Sequence, residues 1–177
     1  MHRHSKASFF SLRDKGSNIS RNTTGVTFMR MVFRTQIDRP ASAVWRNVIK
    51  PESFQKWNDK IESMEARDEF HLGEPFMTRY KWRGKQTQCM SVATNISDGR
   101  VLELRHSDFV GNGVDPRMEA LERIVLEQRG GRTMVTRVLS IKHHGVPFFF
   151  APILWFVSRF GKPKDPDPLK LMCEAEP

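Results

Sequence analysis

Between Val32 and Trp57 the hydrophobic period of the chain changes from that of a strand to that of two successive helical pieces, and this constrains the fold more than any other stretch. Phe33, Thr35 and Ile37 alternate with Arg34 and Gln36, the period of a half-buried strand. After Pro40 the apolar residues are Val44, Trp45, Val48 and Ile49, which is helical spacing. Pro51 starts another helical turn in a position where its missing N–H does no harm, and Phe54 and Trp57 follow three apart. Few folds place one strand and a bent helix pair ahead of a run of strands. The pattern specifies a scaffold before it specifies any chemistry.

Beyond Trp57 the chain reads as strands joined by turns. Ile61 to Ala66 is short, and His71-Leu72-Gly73-Glu74-Pro75 is a turn. Phe76, Thr78, Tyr80 and Trp82 then lie on one face of a strand, with Met77, Arg79, Lys81 and Arg83 on the other. Gln86 to Ile96 follows, with Met90, Val92 and Ile96 in phase, and Asp98-Gly99 signals a hairpin. Arg100 to Phe109, Met118 to Gln128 and Thr133 to Lys142 complete the set, the last two joined around Gly130-Gly131. Short connections of this kind pair successive strands as an antiparallel meander. With Phe33 to Ile37 the prediction is a seven-stranded antiparallel sheet in one α+β domain over residues 26–177.

The chain has 177 residues and a formal net charge of +9, which raises nucleic acid or an anionic membrane as partners. Five basic residues against Asp14 alone fall in residues 1–25, so much of the excess sits in a tail rather than on a face. That tail reads as disordered, or as preceding a true start at Met29 or Met31. An organellar presequence and an arm for an acidic partner stay open beside this reading. No apolar stretch of signal-peptide length precedes the domain. Cys89 and Cys173 are too few and too far apart for a disulfide framework or a zinc site, and they suit a reducing, cytoplasmic setting. Arg79, Lys81 and Arg83 alternate with Tyr80 and Trp82, so basic groups and aromatics face opposite ways. Specific nucleic-acid binding is therefore not expected.

Pro147 to Val157, PFFFAPILWFV, is an uncharged run of eleven residues. A membrane span needs about 20 apolar residues, so the expectation is a buried helix covering the sheet rather than a crossing. Pro163, Pro166 and Pro168 interrupt the helical pattern beyond it, and Leu169 and Met172 suggest a final short helix.

The order of elements, together with Pro40-Ala-Ser-Ala-Val-Trp45, Pro51-Glu52, Trp57-Asn58, Gly73-Glu-Pro-Phe76, Gly131-Arg-Thr133 and Leu169-Lys-Leu-Met-Cys-Glu174, resembles the START-related (SRPBCC) superfamily. That superfamily includes polyketide cyclase/dehydrase-like and pollen-allergen-like proteins. The resemblance covers roughly residues 28–175. It implies a helix-grip fold, in which a curved sheet wraps a C-terminal helix, with two short helices between strands 1 and 2, and encloses an apolar cavity. Gly161 to Pro168 depart from the single long helix of that pattern.

A curved sheet cannot keep contact with a straight helix along its length, so space between them is a natural site for an apolar ligand. The expected lining is Phe76, Thr78, Tyr80 and Trp82 from one strand, Val135, Leu139 and Ile141 from another, and Trp155 or Phe156 from the apolar run. Most apolar strand faces are plain core, and that bland reading stands beside the cavity. Polar residues in apolar phases are more telling: Arg137 is in phase with Val135 and Leu139, and Arg123 with Leu121 and Val125. Inward guanidinium groups need a carboxylate, a carbonyl or a ligand anion. Glu103 and Arg105 share one phase of their strand and His106 shares the other with Leu102 and Leu104, so Glu103 and His106 make a poor acid/base pair. The neighbours His143 and His144 likewise point to opposite faces and make a poor metal chelate. No nucleophile elbow, phosphate loop, HExxH or paired-cysteine motif occurs, and no cofactor or metal is expected. The reading is a carrier of a small lipid-, polyketide- or isoprenoid-like molecule. Its alternatives are a cyclase-, dehydrase- or hydrolase-like enzyme in the same cavity, and a protein-interaction module resembling heat-shock ATPase activator homologues, docking through Phe148 to Phe156.

Overall fold

The computed structural model of the chain describes residues 19–21, 26–82, 85–111, 113–144 and 167–175. In chain order the elements are β1 (Ile19–Arg21), β2 (Val26–Ile37), α1 (Ala41–Ile49), α2 (Pro51–Trp57), β3 (Ile61–Met64), β4 (Pro75–Trp82), β5 (Lys85–Ser97), β6 (Val101–Gly111), β7 (Glu119–Arg129), β8 (Arg132–His144) and α3 (Pro168–Ala175). The described strands form one sheet in the order β1-β2-β8-β7-β6-β5-β4-β3. Every strand pair is antiparallel. The sheet curls into a half-barrel with the helices on its inner side, the helix-grip arrangement.

All seven predicted strands are present, together with one that the sequence reading placed in the tail. β1 pairs Ile19 to Arg21 with Met29 to Thr27. β2 is also longer than its alternating core, and Met29 and Met31 stand opposite Ile141 and Leu139 of β8. A chain starting at Met31 would leave the end of β8 without its backbone partners on that side. The apolar run Pro147 to Val157 lies outside the described residues, as do Trp155 and Phe156.

Each helix is positioned by its sequence. Pro40 and Pro51 open the first two, and the apolar stripe of each turns inward: Val44, Trp45, Val48 and Ile49 of α1, then Phe54 and Trp57 of α2. The pair leaves β2 near one sheet edge and delivers the chain to β3 at the other, so it must cross one end of the half-barrel. α3 docks beside β2. Asp167 caps it, accepting the Leu169 N–H at 2.9 Å and a 2.7 Å bond from the Thr35 hydroxyl. Lys170 reaches the Gln36 carbonyl at 2.9 Å, and Glu174 accepts the Asp38 N–H at 2.8 Å.

The main core fills this helix-covered end. Phe54 is fully buried, with the Trp57 ring 4.4 Å away and the Phe70 ring edge-on at 5.6 Å, and Phe70 leads on to Phe76 at 5.3 Å. Leu102, Leu104, Ile124, Leu126 and Val135 meet the cluster from the sheet, and Leu169 and Cys173 from α3. Phe54→Ala removes the centre of this packing. It should lower the free energy of unfolding by about 3–5 kcal/mol, read from urea denaturation with tryptophan fluorescence.

Candidate ligand-binding site on the inner face of the sheet

Register decides which residues look inward. On β6, Leu102, Leu104 and His106 are buried while Arg105 is exposed, so the phase carrying His106 is the inner one. Glu103 faces out, holding the Thr94 hydroxyl at 2.9 Å and lying 3.8 Å from Arg123. Arg123 thus corrects the sequence reading. It stands on the outer face, and the inner residues of β7 are Ala120, Glu122, Ile124 and Leu126. Both phases of β7 carry aliphatics, so alternation alone does not choose between them. On β5 the apolar Met90 and Val92 turn out to face outward, and the small Cys89, Ser91 and Ala93 are buried inside. A bulge between Ala93 and Asn95 shifts the phase, which brings Ile96 back to the inner side opposite Leu102. A second irregularity, between Gln88 and Met90, coincides with Asp108 at φ 54, and the buried Phe109 follows it.

Among the expected lining residues, Phe76 and Thr78 are buried and Tyr80 is half-buried on the inner face of β4. Val135 is buried, while Arg137, Leu139 and Ile141 continue its phase half-buried along β8. Strand pairing brings Leu139 beside Glu122, Ile141 beside Ala120, and Arg137 beside Phe33. Trp82 ends β4, but its side chain lies outside the described set, as does Trp155. Val135 belongs to the closed core, Leu139 and Ile141 pack on a separate small cluster of Cys89, Phe109 and Ala120, and Tyr80 packs against both. The inner face therefore has two parts. One is filled by the three helices, and the other carries half-buried apolar side chains around a group of polar ones.

Those polar groups form two connected sets. Thr78 Oγ1 lies 2.8 Å from Ser91 Oγ, which lies 2.7 Å from His106 Nδ1, and Cys89 Sγ stands 3.6 Å from the same hydroxyl. Thr78, Cys89, Ser91 and His106 are all buried. Among the described residues, His106 Nε2 has no hydrogen-bond partner. The Tyr80 ring meets the imidazole edge-on, with centroids 6.2 Å apart. In the second set Arg137 donates to the buried Glu122 and lies over the Trp57 ring, 5.1 Å from its centroid. Glu122 is 5 % exposed and Arg137 29 % exposed, so the pair runs from the interior toward a less enclosed region.

Burial controls the protonation of these groups. It holds His106 below the ordinary histidine value, an effect opposed by nearby Glu122 and reinforced by Arg137. It also pushes the Cys89 thiol up to about 11 and raises the Tyr80 phenol well above its usual range. At neutral pH the site holds a neutral imidazole, a thiol, a phenol and one internally compensated ion pair. Of these residues, Glu122, Ser91, Cys89 and Trp57 were not among the site residues expected from the sequence. The legible signal was Glu122, an acid within the Ala120–Ile124–Leu126 phase.

Elsewhere, His143 stands 3.9 Å from Asp115 near the end of β8, and no metal-ligating group of three forms among the described residues. Arg79, one of the basic residues interleaved with aromatics, is paired outward with Glu65 at 2.6 Å. An open groove between α2 and residues 66–69 is lined by Lys50, Glu52, Gln55, Arg67 and Asp68, a mixed-charge solvated surface. No helix among the described residues is long and apolar enough to cross a membrane.

Solved structures share this architecture. The Mll3558 protein from Rhizobium loti superposes with a TM-score of 0.58 at 14 % identity, over 76 % of this chain and 92 % of its own. Ara h 8.0201 gives a TM-score of 0.55 at 12 % identity, over 83 % and 98 %. The likeness is one of fold, the helix-grip arrangement. DynU16, from the dynemicin biosynthetic locus, shares the helix-grip fold with a TM-score of 0.53 at 17 % identity, over 82 % of this chain and 47 % of its own. No protein-family model matches the sequence, nor does any curated protein sequence. Identities this low carry the helix-grip architecture and leave the site to be argued from its residues.

Two outcomes follow from the inner-face polar groups. Because the folded pKa of His106 is depressed, the unfolded chain takes up its proton first as pH falls below 6.5, and stability drops from there down to the lowered value. The urea midpoint should fall between about pH 7 and pH 5, and His106→Gln should flatten that slope. For the ion pair, Arg137→Met strands a carboxylate in the interior and should cost about 3–5 kcal/mol. Glu122→Gln leaves a guanidinium that is partly solvated and lies on Trp57, so denaturation of the two variants should show the smaller loss for Glu122→Gln.

Proposed function

We propose that the protein binds and carries a small hydrophobic molecule, of lipid-, polyketide- or isoprenoid-like character, on the inner face of its sheet. The observation that carries this reading is the division of that face. Core packing by the three helices uses Ile124, Leu126 and Val135, while Tyr80, Leu139 and Ile141 on the same face are only half-buried. Apolar side chains lining a concave surface beside a few fixed polar groups are what a small-molecule site requires. The helix-grip likeness supports the reading by analogy of fold. The proposed ligand-binding set is Tyr80, Arg137, Leu139 and Ile141, with the buried Thr78 behind them, while Phe76 and Val135 belong to the main core. The domain is taken as residues 26–177, and the two buried free cysteines support a reducing, cytoplasmic setting.

A second reading, a cyclase-, dehydrase- or hydrolase-like enzyme, is favoured by one observation. A titratable His106 stands on the inner face with Ser91 in hydrogen-bond reach and Tyr80 beside it. Catalysis requires such a group to touch the substrate, and Ser91 is 1 % exposed, so carriage is the better reading. The interaction-module reading rested on Phe148 to Phe156, which lie outside the described residues.

The test is to fill the space. Leu139→Trp should abolish binding of an apolar fluorescent probe, and native mass spectrometry should show loss of co-purified ligand, with the unfolding midpoint unchanged or raised. If Leu139 is close-packed core, the larger ring should instead cost about 1–3 kcal/mol through overpacking, and probe binding should not respond separately.

A further inference from the structure

The connection from β6 to β7 lies against the apolar side chains of the proposed ligand site. Val114 and Met118 of this connection pack on the small cluster of Cys89, Phe109 and Ala120, which Tyr80, Leu139 and Ile141 also join. Residues 113–118 hold their own shape. The Met118 N–H donates to the Asp115 carbonyl at 3.0 Å, and the Arg117 N–H donates to Asp115 Oδ1, also at 3.0 Å. On the far side of the same carboxylate, Asp115 Oδ2 stands 3.9 Å from His143 Nδ1. Both atoms are shielded from solvent, and neither has a hydrogen-bond partner among the described residues. His143 continues the Leu139–Ile141 phase of β8, so the pair lies at the end of the inner face. The Asp115 side chain is 11 % exposed and that of His143 31 % exposed, so solvent screens the pair only in part.

Asp115 stays ionised near neutrality. The Arg117 N–H bond holds its carboxyl below the usual carboxylate range, burial opposes this, and the Arg117 guanidinium at 3.3 Å adds to it. A hydrogen bond from an N–H needs about 2.7–3.2 Å, so the pair is unmade and close to closing. A neutral imidazole offers Nδ1 either as an acceptor, which repels the carboxylate, or as an uncharged donor. The imidazolium is a donor at both nitrogens and carries a positive charge, whichever neutral tautomer precedes it. Acid therefore turns the gap into a charge-assisted hydrogen bond. The neighbouring charges are already engaged: Lys142 of β8 with Glu119 of β7 at 3.5 Å, and Arg117 with Asp115. β2 places Thr27, which does not titrate, opposite His143, and His144 points to the other face of β8. We propose that Asp115 and His143 form an acid-operated latch, which fastens the β6–β7 connection over the end of the ligand site and slows exit of a bound molecule. The inference rests on the binding reading above and adds a control of ligand exchange to it.

Two measurements on the full chain test the latch. In the first, amide hydrogen exchange of Val114 and Met118 is followed as protection factors at about pH 7.5 and about pH 5.5, on either side of the histidine range. Core amides of β6 and β7 report global stability alongside. In the wild-type chain the two connection amides should gain about fivefold in protection in acid, while the core amides should not. Asp115→Asn, which keeps an acceptor for the Arg117 N–H, and His143→Gln should each abolish the gain. In the second, the uncharged apolar probe N-phenyl-1-naphthylamine is released from the loaded chain by dilution. Its dissociation should be about fivefold slower at the lower pH in the wild type, and equally fast at both pH values in either variant. Connection amides that ignore pH, or that gain as much in the variants, overturn the latch. So does a probe that leaves the wild type equally fast at both pH values. If the probe does not bind the wild-type chain at all, the binding reading falls. The protection of Val114 and Met118 then decides the closure of the pair separately, a gain supporting it and no gain overturning it.

Discussion

The structure depends on the aromatic cluster at the helix-covered end of the sheet. Phe54, Trp57, Phe70 and Phe76 pin the bent helix pair against the inner face, and Trp57 connects that packing to the site. Its indole N–H donates to the Asn47 carbonyl at 3.1 Å, which ties α2 to α1, and its ring lies beneath Arg137. One residue therefore closes the core and supports the guanidinium that neutralises Glu122. Packing energy and site electrostatics share a side chain.

With one end of the half-barrel filled, the remaining inner face is shaped by residue size. Thr78, Cys89, Ser91 and Ala93 are small, and they sit side by side on β4 and β5 where bulky residues would complete an ordinary core. They carry hydroxyl and thiol groups that bond to one another and to His106. Polar atoms there cost little because nearly all are paired, and low dielectric strengthens each bond. Among the described residues the exception is Nε2 of His106.

The two irregularities of β5 and β6 contribute to the same geometry. Without the shift between Ala93 and Asn95, Ser91 and Ile96 would face opposite sides of the sheet. Ser91 would then turn away from His106, or Ile96 would leave the core. The turn at Asp108 does the corresponding work for Phe109, which closes the small apolar cluster under Tyr80. Local departures from regular pairing thus allow one strand to serve core and site together.

Much of this architecture was legible in the residues. Alternation in Phe76 to Trp82, helical spacing around Trp45, proline at both helix starts and the Asp98-Gly99 turn each follow from local backbone geometry, which a sequence expresses directly. The inward phase of Tyr80, Arg137 and Leu139 could be read because their neighbours are unambiguous. Arg123 could not be read, because β7 is aliphatic on both faces and only its pairing with β6 and β8 selects Glu122. Met90, Val92 and Ile96, in phase by sequence, do not share a face, because alternation does not reveal the bulge between Ala93 and Asn95 and the inner face of β5 is built from small residues that carry no hydrophobic signal. Short-range periodicity determined the elements and their order. Strand register, bulges and the meeting of Ser91 with His106 and Glu122 with Arg137 were decided by tertiary structure, because they join residues whose proximity no local pattern encodes.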